Sequence, residues 1–131
     1  RRLLELRRDN PALRPQHFAD AAHPVPGSSV IDWYDENGQT MSLERWNDPA
    51  HRTLQYDALS LPEHEDPNRV LLIVHGIEKP IQVTLPRVDG ITRYTSLWSS
   101  VPERPDDERP VYGPGEAIAL PGTALHLFRM E

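Results

Sequence analysis

Beyond residue 15, 12 of the 14 prolines and all 7 glycines fall between short apolar segments, and this spacing of breakers constrains the fold more than any other feature. Proline lacks a backbone donor and glycine weakens a helix interior, so segments this short are expected to be strands joined by turns. They are "VIDWYD" at 30–35, "RTLQYDALSL" at 52–61, "RVLLIVHG" at 69–76, "PIQVTLP" at 80–86, "TRYTSLW", "EAIAL" and "TALHLFRM". A chain of 131 residues is the size of one domain. Seven or eight strands in it predict an all-β fold, an antiparallel β-sandwich.

The local patterns sharpen this expectation. Asn37-Gly38 predicts a type I′ turn, with "QTM" returning as the second strand of a hairpin. "SLERWND" then makes one helical turn capped by Ser42 and stopped at Asp48-Pro49, which places Trp46 over the hairpin. In "RTLQYDALSL", Leu54, Tyr56 and Ala58 alternate with Thr53, Gln55 and Asp57, and the apolar set is expected to face the core. "RVLLIVHG" and "PIQVTLP" read as central strands closed into a hairpin through Gly76–Pro80. Pro121-Gly122 suits a type II turn between the last two strands. "PERPDDERP" at 102–110 is too charged and proline-rich to bury, so it reads as an exposed loop.

Residues 1–14 differ from the rest. "RRLLELRRDNPAL" has a helical pattern ended by Asn10-Pro11, because proline disfavours helical geometry in the residue before it. A stripe of about two turns is marginal alone, so Leu3, Leu4 and Leu6 need a partner, which is expected outside this stretch of chain. The start at Arg1, inside a helix, predicts a fragment of a longer protein.

The formal net charge is −6, yet the first 14 residues carry five arginines against Glu5 and Asp9, so the remainder is acidic. An acidic body attracts phosphate backbones poorly, and nucleic acid is not an expected partner. The absence of cysteine excludes disulfides and thiolate metal sites, and points to a cytoplasmic location. No run of 18 apolar residues and no leader pattern occur, so no membrane partner is expected.

Chemistry is sparse. Glycoside hydrolysis needs two carboxyl groups facing each other across the scissile bond. Asp32, Asp35, Glu36, Glu44 and Asp48 are the candidates, but acids beside turns and helix starts are ordinary for conformational reasons, and Asp35 and Glu36 are expected to be solvated. Of six histidines, only His64 in "EHED" has several carboxylates near it, and its spacing matches no zinc pattern. His75 and His126 sit in apolar strands as hydrogen-bonded side chains, whereas His17, His23 and His51 stand alone. No catalytic residue, metal site or cofactor is assigned. Trp33, Trp46, Trp98 and Tyr112 have rings able to stack on sugar, although such rings more often fill a core. Trp98 and Tyr112 are the better substrate-binding candidates because they border the charged loop.

In order, "LRRDNPALR", "WYDENGQTMSLERWNDP", "RTLQYDAL", "VLLIVHGIEKPIQVTLP" and "ALHLFR" span nearly the whole chain, and this succession resembles the C-terminal end of GlgX-type glycogen debranching enzymes, isoamylase-like members of the α-amylase superfamily. The resemblance implies that residues 1–14 are the end of the last helix of an upstream catalytic (β/α)8 barrel and that 15–131 form the β-sandwich that follows it. It implies hydrolysis of α-1,6 branch linkages in glycogen or limit dextrin by the parent enzyme. The catalytic carboxylates of such enzymes lie in the barrel, upstream of Arg1, so none is carried over to this sequence. The implied partner is that barrel, which the non-catalytic sandwich would stabilise; an alternative reading makes the domain a glucan-binding module whose exposed aromatics, Trp98 and Tyr112, stack on an α-glucan.

Overall fold

The computed structural model describes residues 1–15, 27–61, 66–101 and 109–131. Helix α1 (Arg2–Asp9) and a 3-10 turn (Pro11–Leu13) precede β1 (Ser28–Tyr34), the short helix α2 (Leu43–Asn47), β2 (Thr53–Leu61), β3 (Arg69–His75), β4 (Ile81–Thr84), β5 (Tyr94–Ser99), β6 (Val111–Tyr112), β7 (Ala117–Leu120) and β8 (Ala124–Met130). The strands pair antiparallel in two sheets, one of order β1-β2-β3-β8-β5-β6 and one of β4-β7. The all-β sandwich behind a short N-terminal helix is therefore the fold that the pattern of breakers predicts.

Three connections depart from the sequence reading. β3 and β4 do not form a hairpin: β3 pairs with β2 and β8, and β4 with β7, so Gly76–Pro80 carries the chain from one sheet to the other. The link between β7 and β8 does the same, and Gly122 is not among the positive-φ glycines that a type II turn requires. β1 takes β2 as its ladder partner, and "QTM" contributes only a bridge between Tyr34 and Thr40. Local hydrophobicity marks strands well, but which strand becomes the neighbour is decided by which faces can be buried together.

The core lies between the sheets. Leu71 and Ile73 of β3, with Tyr94, Phe128 and Met130, meet Val83, Leu85, Ile118 and Leu120 from the β4–β7 side. β2 reverses the expected orientation. Asp57 is paired with Leu71, Gln55 with Ile73 and Thr53 with His75, so the polar set of β2 shares the inner face with the core residues. Leu54, Tyr56 and Ala58 face outward, where Ala58 and Tyr56 join a second apolar cluster with Val70, Leu97 and Leu127. A period of two identifies two faces without saying which one meets the second sheet.

The buried polar side chains of β2 are bonded, although Gln55 Oε1 has no hydrogen-bond partner among the described residues. Gln55, fully buried, donates from Nε2 to the carbonyls of Asp35 and Thr84, each at 2.8 Å, and so links β2, the loop after β1 and the end of β4. The start of β4 lies across a cleft from Ser99 and His126 of β5 and β8, while its end reaches Gln55 and Glu36 on the β1–β2 side. β4 thus runs across the strands of the large sheet, as in orthogonal sandwich packing.

The loop after β1 is built to dock there. Its three residues Glu36–Gly38 are closed by Asp35 N–H on the Gln39 carbonyl at 2.8 Å and Gly38 N–H on the Asp35 carbonyl at 3.1 Å. The expected type I′ turn is not formed, since Asn37 has no positive φ; the single left-handed position is Gly38, at φ 73°, as in three-residue hairpin loops. A Cβ on Gly38 would lie 2.8 Å from the Thr84 carbonyl oxygen and 3.1 Å from Pro86 Cα. Glu36 completes the seam by accepting from Thr84 N–H at 2.8 Å.

The N-terminal segment packs on the outer face. Leu6 is buried with Ala12 against Ala58, Val70, Leu97 and Leu127, which corrects the expectation that the whole leucine stripe lacks a partner within this chain. Asn10 stops the helix in an extended conformation and is buried, donating to the Leu6 carbonyl at 2.8 Å. Its Oδ1 accepts from Asn68 at 3.0 Å, and Asn68 Oδ1 in turn accepts from Ala12 N–H at 3.0 Å. Leu3 and Leu4 remain 57% and 72% exposed.

Gly38 and Gly90 both hold a left-handed φ, but nothing lies within 4 Å of a Cβ at Gly90. Gly90→Ala is expected to cost about 1 kcal/mol, the conformational penalty alone. Gly38→Ala adds a backbone collision and is expected to cost about 2–4 kcal/mol. Paired denaturant titrations with equal m-values give the difference, and equal losses would mean that the loop does not seat on Thr84–Pro86 as described.

Candidate functional site

The densest charged group on the inner face is one that sequence reading misses. Asp57 is 1% exposed and accepts two hydrogen bonds from Arg69, from Nε at 2.8 Å and from Nη2 at 2.7 Å. The two residues sit diagonally on β2 and β3, because Leu59 pairs with Arg69 and Asp57 with Leu71. Asp32, directly across from Asp57 on β1, lies 4.0 Å from the same guanidinium. Burial, the larger effect, pushes the Asp57 carboxyl above its ordinary range, and the hydrogen bonds and charge of Arg69 pull it back. Arg69 is pushed up, chiefly by the hydrogen-bonded carboxylate. The phenol of Tyr34 is raised by burial and then by the charges of Asp57 and Asp32. Tyr94 is raised too, by burial first, and its hydroxyl donates to the Pro86 carbonyl at 2.7 Å. The bidentate pair engages both carboxylate oxygens of Asp57, so it reads as a structural ion pair.

The acids around the β1 loop are also engaged. Asp35 is buried rather than solvated, and its Oδ1 accepts from the backbone N–H groups of Asn37 at 2.9 Å and Gln39 at 3.0 Å. Glu36 is bound by Arg45 Nη1 at 2.8 Å, and its other oxygen lies 3.3 Å from His51 Nδ1. His51, which reads as isolated in sequence, thus belongs to a group with Glu36 and Arg45. Asp48 Oδ1 accepts from Ala50 N–H at 2.8 Å, ending α2, and Glu44 is exposed on that helix. Asp35 and Asp48 are held by backbone donors and Glu36 Oε1 by Arg45, whereas Glu36 Oε2 and His51 Nε2 are buried without a hydrogen-bond partner among the described residues.

The two sugar-stacking candidates fall on opposite faces of the large sheet. Trp98 is paired with Leu127 and packs in the outer cluster, after a bulge between Ser96 and Trp98 that also turns Leu97 outward. Tyr112 is paired with Tyr94 and lies edge-on to the core ring of Phe128 at 5.9 Å. Both are half-buried, and they share no platform. Trp33 touches Tyr56 at 4.9 Å and Trp46 at 5.4 Å. Of the four rings considered, Trp46 alone is strongly exposed, at 48%.

The histidines in strands are bound as expected. His75 Nδ1 meets Thr53 Oγ1 at 2.7 Å, and its Nε2 faces the Lys79 carbonyl at 2.6 Å, which requires Nε2 to carry a proton. His126 stacks on Phe128 at 4.2 Å and its Nε2 meets Ser96 Oγ at 2.9 Å. His126 also borders a cleft of about 430 Å³ between the sheets, with Gln82 and Ser99 as its other polar side chains. No carboxylate is among the described residues that line it. His17, His23, His64 and most of the 102–110 loop lie outside the described residues. Among the described residues no three histidine, aspartate or glutamate side chains converge to hold a metal, and no helix is long and apolar enough to cross a membrane.

No protein-family model matches the chain, and no curated protein matches it at a significant level.

The Asp57–Arg69 pair has a direct test. Asp57→Ala leaves a largely buried guanidinium without its carboxylate and is expected to cost about 3–5 kcal/mol of unfolding free energy. The pH dependence has a definite sign. A carboxyl raised above its unfolded value contributes stability that is present below the unfolded pKa and is lost as pH rises through the folded one. Asp57→Asn is therefore expected to flatten the fall in stability above about pH 4. A pH series of denaturant midpoints showing an unchanged slope in the variant would rule this out.

Proposed function

We propose that this chain is the non-catalytic C-terminal β-sandwich of a glycogen debranching enzyme that hydrolyses α-1,6 branch linkages, and that it steadies the catalytic (β/α)8 barrel by packing against it. The reading rests on the order of segments that resembles isoamylase-like enzymes. The structural observation that supports it most is the outer face of the large sheet.

Across five strands that face presents Trp33, Tyr56, Leu72, Leu127 and Trp98 in one register row. Leu6, Ala12 and Leu13 cover part of it. The next row, Leu54, Val74 and Leu125, is only partly buried, and Leu125 is 38% exposed. With Leu3 and Leu4 of α1, these residues form apolar surface of the kind that a neighbouring domain covers. The described side chains offer instead a set of acids already held by arginines and backbone donors, which suits a supporting domain better than a hydrolytic centre.

The test uses the enzyme that carries this sequence at its C-terminus. Leu4→Asp and Leu125→Asp change exposed positions, so each is expected to shift the stability of the 131-residue chain by no more than about 0.5 kcal/mol. In the longer enzyme each is expected to lower the melting temperature and the yield of linear chains released from glycogen limit dextrin. An enzyme without debranching activity would overturn the assignment, and variants with unaltered melting would overturn the docking face.

A further inference from the structure

We propose that the cleft between the two sheets at His126 is a binding site for a small neutral molecule with an apolar body and one hydrogen-bonding end, such as a hydroxyl. The site does not depend on the debranching reading. It lies on the inner side of the large sheet, opposite the face that a neighbouring domain would cover.

The cleft follows from how the chain changes sheets. In the β4–β7 register the pair that follows Ile81 and Leu120 is Pro80 and Pro121, and neither has an N–H with which to extend the ladder. The small sheet therefore stops there, and both prolines stand at the exposed rim of the cleft. Below them Ser99 of β5 and His126 of β8 are register partners. His126 is also paired with the core residue Ile73, which sets its side chain on the inner face.

The lining decides the class of ligand. Six of the nine described lining residues are apolar, so a molecule with an apolar body gains by shielding walls such as Ile81, Val101 and Leu120 from water. The polar side chains are Gln82, Ser99 and His126, with no carboxylate, lysine or arginine among the described residues, and a charged ligand would lose its water without meeting a counter-charge. Two of the three are fixed in advance. Ser99 Oγ accepts from Val101 N–H at 3.2 Å, which leaves its own proton to donate, and His126, 2% exposed, is held by Ser96 Oγ and by stacking on Phe128. Fixed polar groups beside apolar walls orient one end of a ligand, and about 430 Å³ suits a small one. No Trp, Tyr or Phe is among the described lining residues, so stacking on a sugar is not the chemistry offered.

The experiment titrates the 131-residue chain with benzyl alcohol and with cyclohexanol, read from the methyl resonances of Ile81, Val101, Ala119 and Leu120. Both alcohols are expected to move these signals and saturate them at millimolar concentration, while the methyls of Leu54 and Leu125 on the outer face stay in place. Benzoate and benzylamine, similar in size but charged, are expected to bind about tenfold more weakly. Ser99→Ala is expected to weaken benzyl alcohol about fivefold and to leave toluene unaffected, a difference that a general loss of structure would not produce. Ile81→Phe enlarges a half-buried wall residue and is expected to abolish the shifts with the backbone spectrum preserved. No saturating shift at the cleft with either alcohol, equal binding of benzoate, or equal losses of benzyl alcohol and toluene in Ser99→Ala would each overturn the proposal.

Discussion

The fold depends on one side-chain amide. Gln55 reaches from β2, one strand in from the edge of the large sheet, to two backbone carbonyls, one in the loop after β1 and one at the end of β4. Both carbonyls belong to chain segments that meet at the sheet seam, where an unpaired acceptor costs about 1–3 kcal/mol. An apolar residue at this position would fill the volume but take away the side-chain donor of the Thr84 carbonyl and leave the Asp35 carbonyl with the Gly38 N–H alone. The seam accordingly gathers other fitted parts: a glycine where a Cβ would strike Thr84, a buried aspartate folding its own loop, and Glu36 on the Thr84 amide.

The same logic explains the inner face of β2. Of its three polar residues, Asp57 and Thr53 bond to β3 within the large sheet, and Gln55 alone bonds across to β4. Asp57, Gln55 and Thr53 each have a specific partner: Arg69, the seam carbonyls, and His75. The hydrophobic contribution comes from the centre of the interface, around Leu71, Phe128 and Val83, while the β2 side supplies directional bonds. Burial and bonding therefore act on adjoining strips of one interface.

Legibility in the sequence followed the range of the interactions. The helix end at Asn10-Pro11, the Ser42 cap and the strand segments are set within a few residues, and they can be read from propensity and period alone. The partners of β4 and β8 were not legible, because an apolar run satisfies a strand on either side of a turn. The β2 face was misread for a related reason: alternation is symmetric, and its polar half became buried because partners from β3 and β4 were in reach. His51 and Arg69 gained their roles only through register and loop packing. The exposure of Trp46 was equally invisible, since a tryptophan following a turn reads first as a lid over the hairpin.

β4 lies across the strands of the large sheet, with one end by β5 and β8 and the other at β1 and β2. The strand is anchored at one end: Thr84 is bonded to Gln55 and Glu36 on the β1–β2 side, and the start of the strand faces β5 and β8 across a cleft. The far end of the sheet is fastened differently, by the Asn10–Asn68 pair beneath α1. The sheet is thus braced from its inner side at β1–β2 and from its outer side at the start of β3, so whatever settles on the outer face meets strands already held at two places.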